Sequence, residues 1–293
     1  MQYRVLFDFE IDFSNGGGLK GHDFRLDIAG DDIGDAALAD AIVRDLRLLM
    51  VGAVRIGNKR IIAEPHKRRE PERGPIDLSH PIEDGMLTYP GLPAPAIRPF
   101  LTREASRAHY APGTEFHIGR IDMVANTGTY LDTPFHRFAG AADLATIDLA
   151  LIADLPAMIV RASGMATRAI DRAVIAATLA NHNPAGAAVL IHTGWAAHWG
   201  TGRYFDGHPF LTADAAHWLI EQRIALCGID SLNIDDTSGG ARPVHSALLG
   251  AGIPIVEHLR GLEQLPTAGF RFSAVPAPVR GLGSFPVRAY AIF

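Results

Sequence analysis

A single cysteine, Cys227, stands among 293 residues. One thiol excludes an intrachain disulfide and a thiolate-rich metal cluster, and it suits a reducing compartment such as the cytoplasm. No apolar run reaches the roughly 18 to 20 residues that a membrane-spanning helix needs. The opening, MQYRVLFDFEIDF, alternates apolar and polar positions and carries acids, which argues against a secretory leader. Dense basic runs are lacking as well. Lys67-Arg68-Arg69, with Arg73 nearby, is interleaved with Glu70 and Glu72 and flanked by prolines, and the formal net charge is -5. Neither nucleic acid nor membrane is therefore expected as a partner. What remains is an ordinary soluble composition, 48% hydrophobic and 20% charged. It allows one large domain, or a medium one with a small appendage.

Residues 2–13 alternate with the period of a half-buried strand (Tyr3, Val5, Phe7, Phe9, Ile11, Phe13). Asn15-Gly16-Gly17-Gly18 supplies hairpin chemistry, and Phe24, Leu26 and Ile28 continue in a second strand. Asp31, Asp32 and Asp35 precede a helical spacing of Leu38, Ile42, Leu46 and Leu49, and Val54–Ile62 reads as a further strand or hairpin. Residues 1–66 are thus predicted to form a small α+β unit of ββαβ type. Charge and proline dominate the next stretch, so 67–75 is predicted to be a linker. Beyond it, strand-like runs at 157–162, 188–191, 224–229 and 253–256 alternate with helical stretches at 169–181 and 212–223. That pattern predicts an α/β domain over 76–293, with several strands covered on both faces.

Two clusters can carry chemistry. The first, Asn126 to Phe138, follows an alternating stretch (Phe116, Ile118, Ile121, Met123). Gly128 and Pro134 argue against a regular helix or strand across it. Asp132 offers a hard oxygen donor and His136 a proton carrier or ligand, although an Asp and a His four apart also arise as a turn cap and a surface residue. The second comprises Gly228 to Asp236, then His245 and Glu257. Glu257 directly follows Ile253-Pro254-Ile255-Val256, where a strand's C-terminal edge commonly displays active-site groups. Asp132, His245 and Glu257 together are competent to hold Zn²⁺ or Mn²⁺. Taken singly, Glu257 could pair with an arginine and His245 could cap a helix. His192, His198, His208 and His217 read as structural or surface residues. Tyr89, Phe135 and Trp195 could line an aromatic pocket or belong to the core.

The frame Asn126-Thr127-Gly128-Thr129-Tyr130-Leu131-Asp132-Thr133-Pro134-Phe135-His136 resembles the His-x-Gly-Thr-His-x-Asp-x-Pro-x-His motif of the cyclase family, which includes bacterial kynurenine formamidases and isatin hydrolases. Asp77 to Ile82, Tyr89-Pro90-Gly91, Thr193-Gly194-Trp195, Gly228-Ile229-Asp230, the His245/Glu257 spacing and Gly281 to Ala289 match further blocks in order. The resemblance covers 76–293 and implies the family's mixed-sheet, swivelling β/β/α-like fold.

By resemblance, the activity is hydrolysis of a C–N bond in an amide, formamide or small cyclic amide (lactam), in the manner of an arylformamidase. One divalent metal ion, Zn or Mn, would be held by Asp132, His245 and Glu257. His136 would act as acid/base, and Asn126 and Tyr130 would stand where the family has two metal-binding histidines, able instead to donate to an oxyanion. His80 matches a family position that can either tie a loop or touch substrate. The family's habit implies a homodimer or homotetramer. Two other functions fit the altered motif: a binding or scaffolding module that has lost its chemistry, and a metal-free hydrolase using Asp132 and His136 alone.

Overall fold

The structure is a computed structural model that describes residues 2–28, 30–64 and 74–293. The chain divides into two compact units, Met1–Glu72 and Arg73–Phe293. Most of the linker expected over 67–75 lies outside the described residues.

In the first unit, β1 (Gln2–Phe13), β2 (Gly18–Ile28), α1 (Asp35–Asp45) and β3 (Val51–Glu64) follow in sequence. The strands form an antiparallel sheet in the order β2-β1-β3. Val5, Phe7, Phe9 and Ile11 all face one side of β1 and bury against Leu38 and Ile42 of α1, as a period of two dictates. Gly16 and Gly17 take the left-handed conformation that the β1–β2 turn requires. The helix is shorter than its apolar spacing predicts. Arg47 and Met50 both adopt positive φ, which ends the helix and redirects the chain into β3 and leaves Leu49 82% exposed.

The second unit is built on a nine-stranded mixed sheet. Its chain order is β4 (Ile76–Asp77), a separate antiparallel ribbon of β5 (Ala96–Leu101) and β6 (Ile118–Asp122) that encloses the short α2 (Arg103–Ser106), then β7 (Tyr130–Asp132) and β8 (Leu155–Arg161). After these come β9 (Ala169–Ile170), α3 (Arg172–Leu179), β10 (Ala188–His192), β11 (Phe210–Leu211), α4 (Ala213–Glu221) and β12 (Leu226–Ile229). The chain finishes with α5 (Pro243–Gly250), β13 (Ile255–Glu257), β14 (Ala268–Ser273), β15 (Ser284–Pro286) and β16 (Tyr290–Ile292). Across the main sheet the order is β15-β7-β13-β12-β10-β8-β14-β16-β4. The four strands β8, β10, β12 and β13 run parallel, and antiparallel strands extend them on both sides.

Why the central strands read as unbroken apolar runs is now plain. Val189 and Ile191 of β10 join Ile175, Leu219 and Leu248 from α3, α4 and α5 on one face, while Ala188 and Leu190 join Leu131, Phe272 and Leu262 on the other. A strand covered on both faces has no polar alternation to show. The expected helix at 169–181 starts only at Arg172, because Asp171 caps it through a bond from the Val174 amide at 3.1 Å and the residues before it pair with β11. The alternating Phe116–Met123 stretch does become β6, yet every residue of that strand is exposed. No described helix is long and apolar enough to cross a membrane.

Candidate active site

The strand β7 organises the site. It is sandwiched between β13 and β15, with Tyr130 opposite Glu257 and Asp132 opposite both Ile255 and Ser284. Gly128 and Pro134 were expected to prevent regular structure, but a strand of three residues fits between them. Gly128 turns the chain at φ 67°, and Pro134 opens the single 3-10 turn that ends on His136.

His245 lies within the first turn of α5 rather than before it. The Asp235 carboxylate caps that turn, accepting from the Val244 amide at 2.7 Å and the His245 amide at 3.0 Å, and it also binds His245 Nδ1 at 2.7 Å. With Nδ1 so engaged, Nε2 faces the site, 3.7 Å from Asp132 Oδ2 and 3.6 Å from Glu257 Oε1. Glu257 is fully buried and uses both oxygens. Oε1 accepts from the Ile234 amide at 2.7 Å, and Oε2 accepts from the Tyr130 hydroxyl at 2.5 Å. Asp132 Oδ1 accepts from Ser284 Oγ and, at 3.4 Å, from Asn126 Nδ2. Its Oδ2 is buried without a hydrogen-bond partner among the described residues.

Electrostatics follow from this crowding of acids. Burial raises the Glu257 carboxyl toward its neutral form, against the pull of His245. Burial also opposes a charge on His245, but Glu257, Asp132 and Asp235 outweigh it and leave the imidazole strongly inclined to hold a proton. Tyr130 is held well above the usual phenol range, by burial first and then by Glu257. A positive charge is thus wanted where His245 Nε2 meets Asp132.

Asp132, His136 and His245 each offer a donor atom, all within 4.8 Å of one another. Two imidazoles and a carboxylate, with one carboxylate oxygen unsatisfied, suit a divalent cation of the zinc or manganese kind. The fit is therefore good. Of the expected ligands, Asp132 and His245 converge. Glu257 adjoins them with its oxygens bonded to Tyr130 and Ile234, and His136 lies within the same reach. Asn126, Tyr130, His136, His245 and Glu257 line one cavity of about 410 Å³, together with Tyr89 and Asn233. Three larger cavities, near 610, 480 and 440 Å³, lack this set of acid/base groups, and the first two share His80 and Arg260.

Several of the remaining expected residues have structural partners, although His80 Nε2 makes no hydrogen bond among the described residues. His80 stacks on Trp199 with ring centroids 3.9 Å apart, and His208 bonds Thr237 at 3.0 Å. Asp230, buried, ties down the Thr193 and Gly194 amides at 2.7 and 2.9 Å. Asp235 lies in the second cluster and Ser284 in the last matching block, but neither is assigned a role from the sequence, because their partners lie ten and about 150 positions away.

Residues 76–236 match the cyclase family profile, which carries the description "Putative cyclase". A kynurenine formamidase of Bacillus cytotoxicus is 26% identical over 215 residues, covering 73% of this chain and 95% of the relative. Isatin hydrolase A from Labrenzia aggregata, solved with benzyl benzoate, superposes with a TM-score of 0.65 at 22% identity, over 75% of this chain and 93% of that one. A solved structure described as a potential metal-dependent hydrolase with cyclase activity gives a TM-score of 0.59 at 26% identity, over 74% and 96% of the two chains. With the motif frame in place on β7 and the family profile covering more than half of its length, this chain belongs to the cyclase family of hydrolases.

Proposed function

We propose that this hydrolase cleaves a C–N bond of an amide, formamide or small cyclic amide with the help of one divalent cation. The observation that carries the reading is the buried, unsatisfied Asp132 Oδ2 facing His245 Nε2, with His136 within donor range. Asp132 and His245 would hold the ion with Glu257 as the neighbouring donor, which leaves His136 as the acid/base group. When bound, such a cation polarises a carbonyl and lowers the pKa of a water.

The chain's own residues supply the rest. Asp235 keeps His245 Nε2 turned toward Asp132. His136, 38% exposed at the side chain, stands at the cavity mouth, where it takes a proton from the attacking water and returns it to the departing nitrogen. Of the two residues expected to serve an oxyanion, Tyr130 has its only hydrogen committed to Glu257. Asn126 carries two amide hydrogens, makes a long contact to Asp132 and also meets Tyr130, so of the two it is the one able to turn a hydrogen toward a substrate oxygen. Tyr89 gives the cavity an aromatic wall suited to an aryl substrate. The kynurenine formamidase relatives favour an aryl formamide over other members of this class.

The Asn126 and Tyr130 departures motivate a second reading, a binding module without chemistry. Metal analysis of protein purified without chelator, paired with a formamide and cyclic-amide screen, separates the two. About one equivalent of Zn or Mn, with turnover lost in His136→Asn, is the expected result. Metal-free protein with no turnover would support the binding module.

A further inference from the structure

We propose that Ser284 is a positioning residue that fixes the tautomer of His136, placing the proton on Nδ1 and leaving Nε2 bare. The proposal builds on His136 as the acid/base group. Ser284 stands opposite Asp132 in the β15–β7 pairing, and its side chain is buried. Its Oγ bonds Asp132 Oδ1 and lies 2.8 Å from His136 Nδ1.

A hydroxyl has one hydrogen to give. A carboxylate oxygen only accepts, and the two groups bonded to Asp132 Oδ1, Ser284 Oγ and Asn126 Nδ2 at 3.4 Å, can both donate. Asp132 is therefore the acceptor of the serine hydrogen. The reverse arrangement, with Ser284 donating to His136, would set the Oγ lone pairs against the Asp132 carboxylate at close contact. Oγ thus receives from His136, and the hydrogen must sit on Nδ1. In a neutral imidazole the other nitrogen then carries a free lone pair. Histidine in water favours the opposite form, so Ser284 holds His136 ready to accept a proton at Nε2 without first exchanging tautomers.

The backbone is built for this approach. A Cβ at Gly283 would lie 2.3 Å from the His136 amide nitrogen and 2.4 Å from its Cα, so only glycine lets the two segments meet. The Thr133 amide donates to the Gly283 carbonyl at 2.7 Å, pinning the turn that carries His136 to the segment that carries Ser284.

The test is ¹⁵N NMR of the full chain with labelled histidines, first chelated and then loaded with zinc, using His136→Asn to assign the ring signals. In the parent protein His136 should show a protonated Nδ1 and a pyridine-like Nε2. Ser284→Ala should lose that preference, and Ser284→Thr, which keeps the hydroxyl, should restore it. Formamide hydrolysis in Ser284→Ala should drop about 10- to 100-fold in kcat with KM little changed. A parent His136 protonated on Nε2, or a tautomer unaltered in Ser284→Ala, overturns the proposal. If the tautomer follows the hydroxyl while no variant hydrolyses any amide, the assignment of Ser284 stands and the hydrolase reading falls.

Discussion

At position 130 a phenol donates to a buried carboxylate, and burial drives both Tyr130 and Glu257 toward their neutral forms. The hydroxyl therefore answers, by hydrogen bonding, a charge that a cation would otherwise balance. Tyr130→Phe should cost about 1.5–3 kcal/mol in chemical denaturation, since it strips a donor from a buried acid. Asn126→His combined with Tyr130→His should bind one more equivalent of zinc than the parent, read by elemental analysis, because imidazole is a far better donor than an amide oxygen or a neutral phenol. No added metal in a folded double variant would mean that these side chains do not converge on Asp132. A different residue contributes to the response to acid. Burial pushes His258 down to about 3, so the folded state keeps it neutral while the unfolded chain protonates it below about pH 6.5. Its contribution is complete above that pH and is lost as pH falls toward 3, by up to about 1.4 kcal/mol per pH unit. The urea midpoint of His258→Phe relative to the parent should accordingly rise between pH 7 and 5, because the variant lacks this loss. Asp132, His136, His245 and Glu257 were legible in the sequence through one motif frame and one spacing. The roles of Asp235 and Ser284 were not, because each acts on a side chain brought to it only by folding.

Between residue and domain, the element that matters most is also the shortest. β7 has three residues, too few for any periodicity to announce it, and it exists because β13 and β15 offer hydrogen-bonding edges on both sides. Longer elements were readable. The runs behind β8, β10, β12 and β13 all became strands, displaced by one or two residues where a cap or a turn intervened. α1 ended before its apolar spacing did, since the chain had to reverse into β3. A strand set by its neighbours is exposed to changes in them. Gly283→Ala should push β15 away from the turn at His136, because the new methyl meets backbone rather than a side chain that could swing aside. The expected loss is about 1–3 kcal/mol, seen as a lowered thermal midpoint, together with a fall in hydrolysis larger than that midpoint alone would explain.

On the scale of the whole chain, each unit has its own core, and the cyclase match begins at residue 76. Residues 76–293 expressed alone should fold and hydrolyse the same substrate, and calorimetry of the full chain should show two transitions where the fragment shows one. Trypsin should cut first at Lys67, Arg68, Arg69 or Arg73, on the charge and proline content of that stretch. An insoluble fragment, or early cleavage elsewhere, would mean that the boundary is misplaced. The two units also differ in when they can be finished. Strands β1 to β3 pair with near neighbours in the chain, so the first unit can close while synthesis is still under way. The hydrolase unit cannot. Its edge strand β15 brings Ser284 to Asp132 across 152 positions, and β16 closes against β14 and β4 later still. The ribosome must release both strands before the sheet that holds β7 is complete, so a nascent chain stalled ahead of Ser284 would display a finished first unit and an inactive second one.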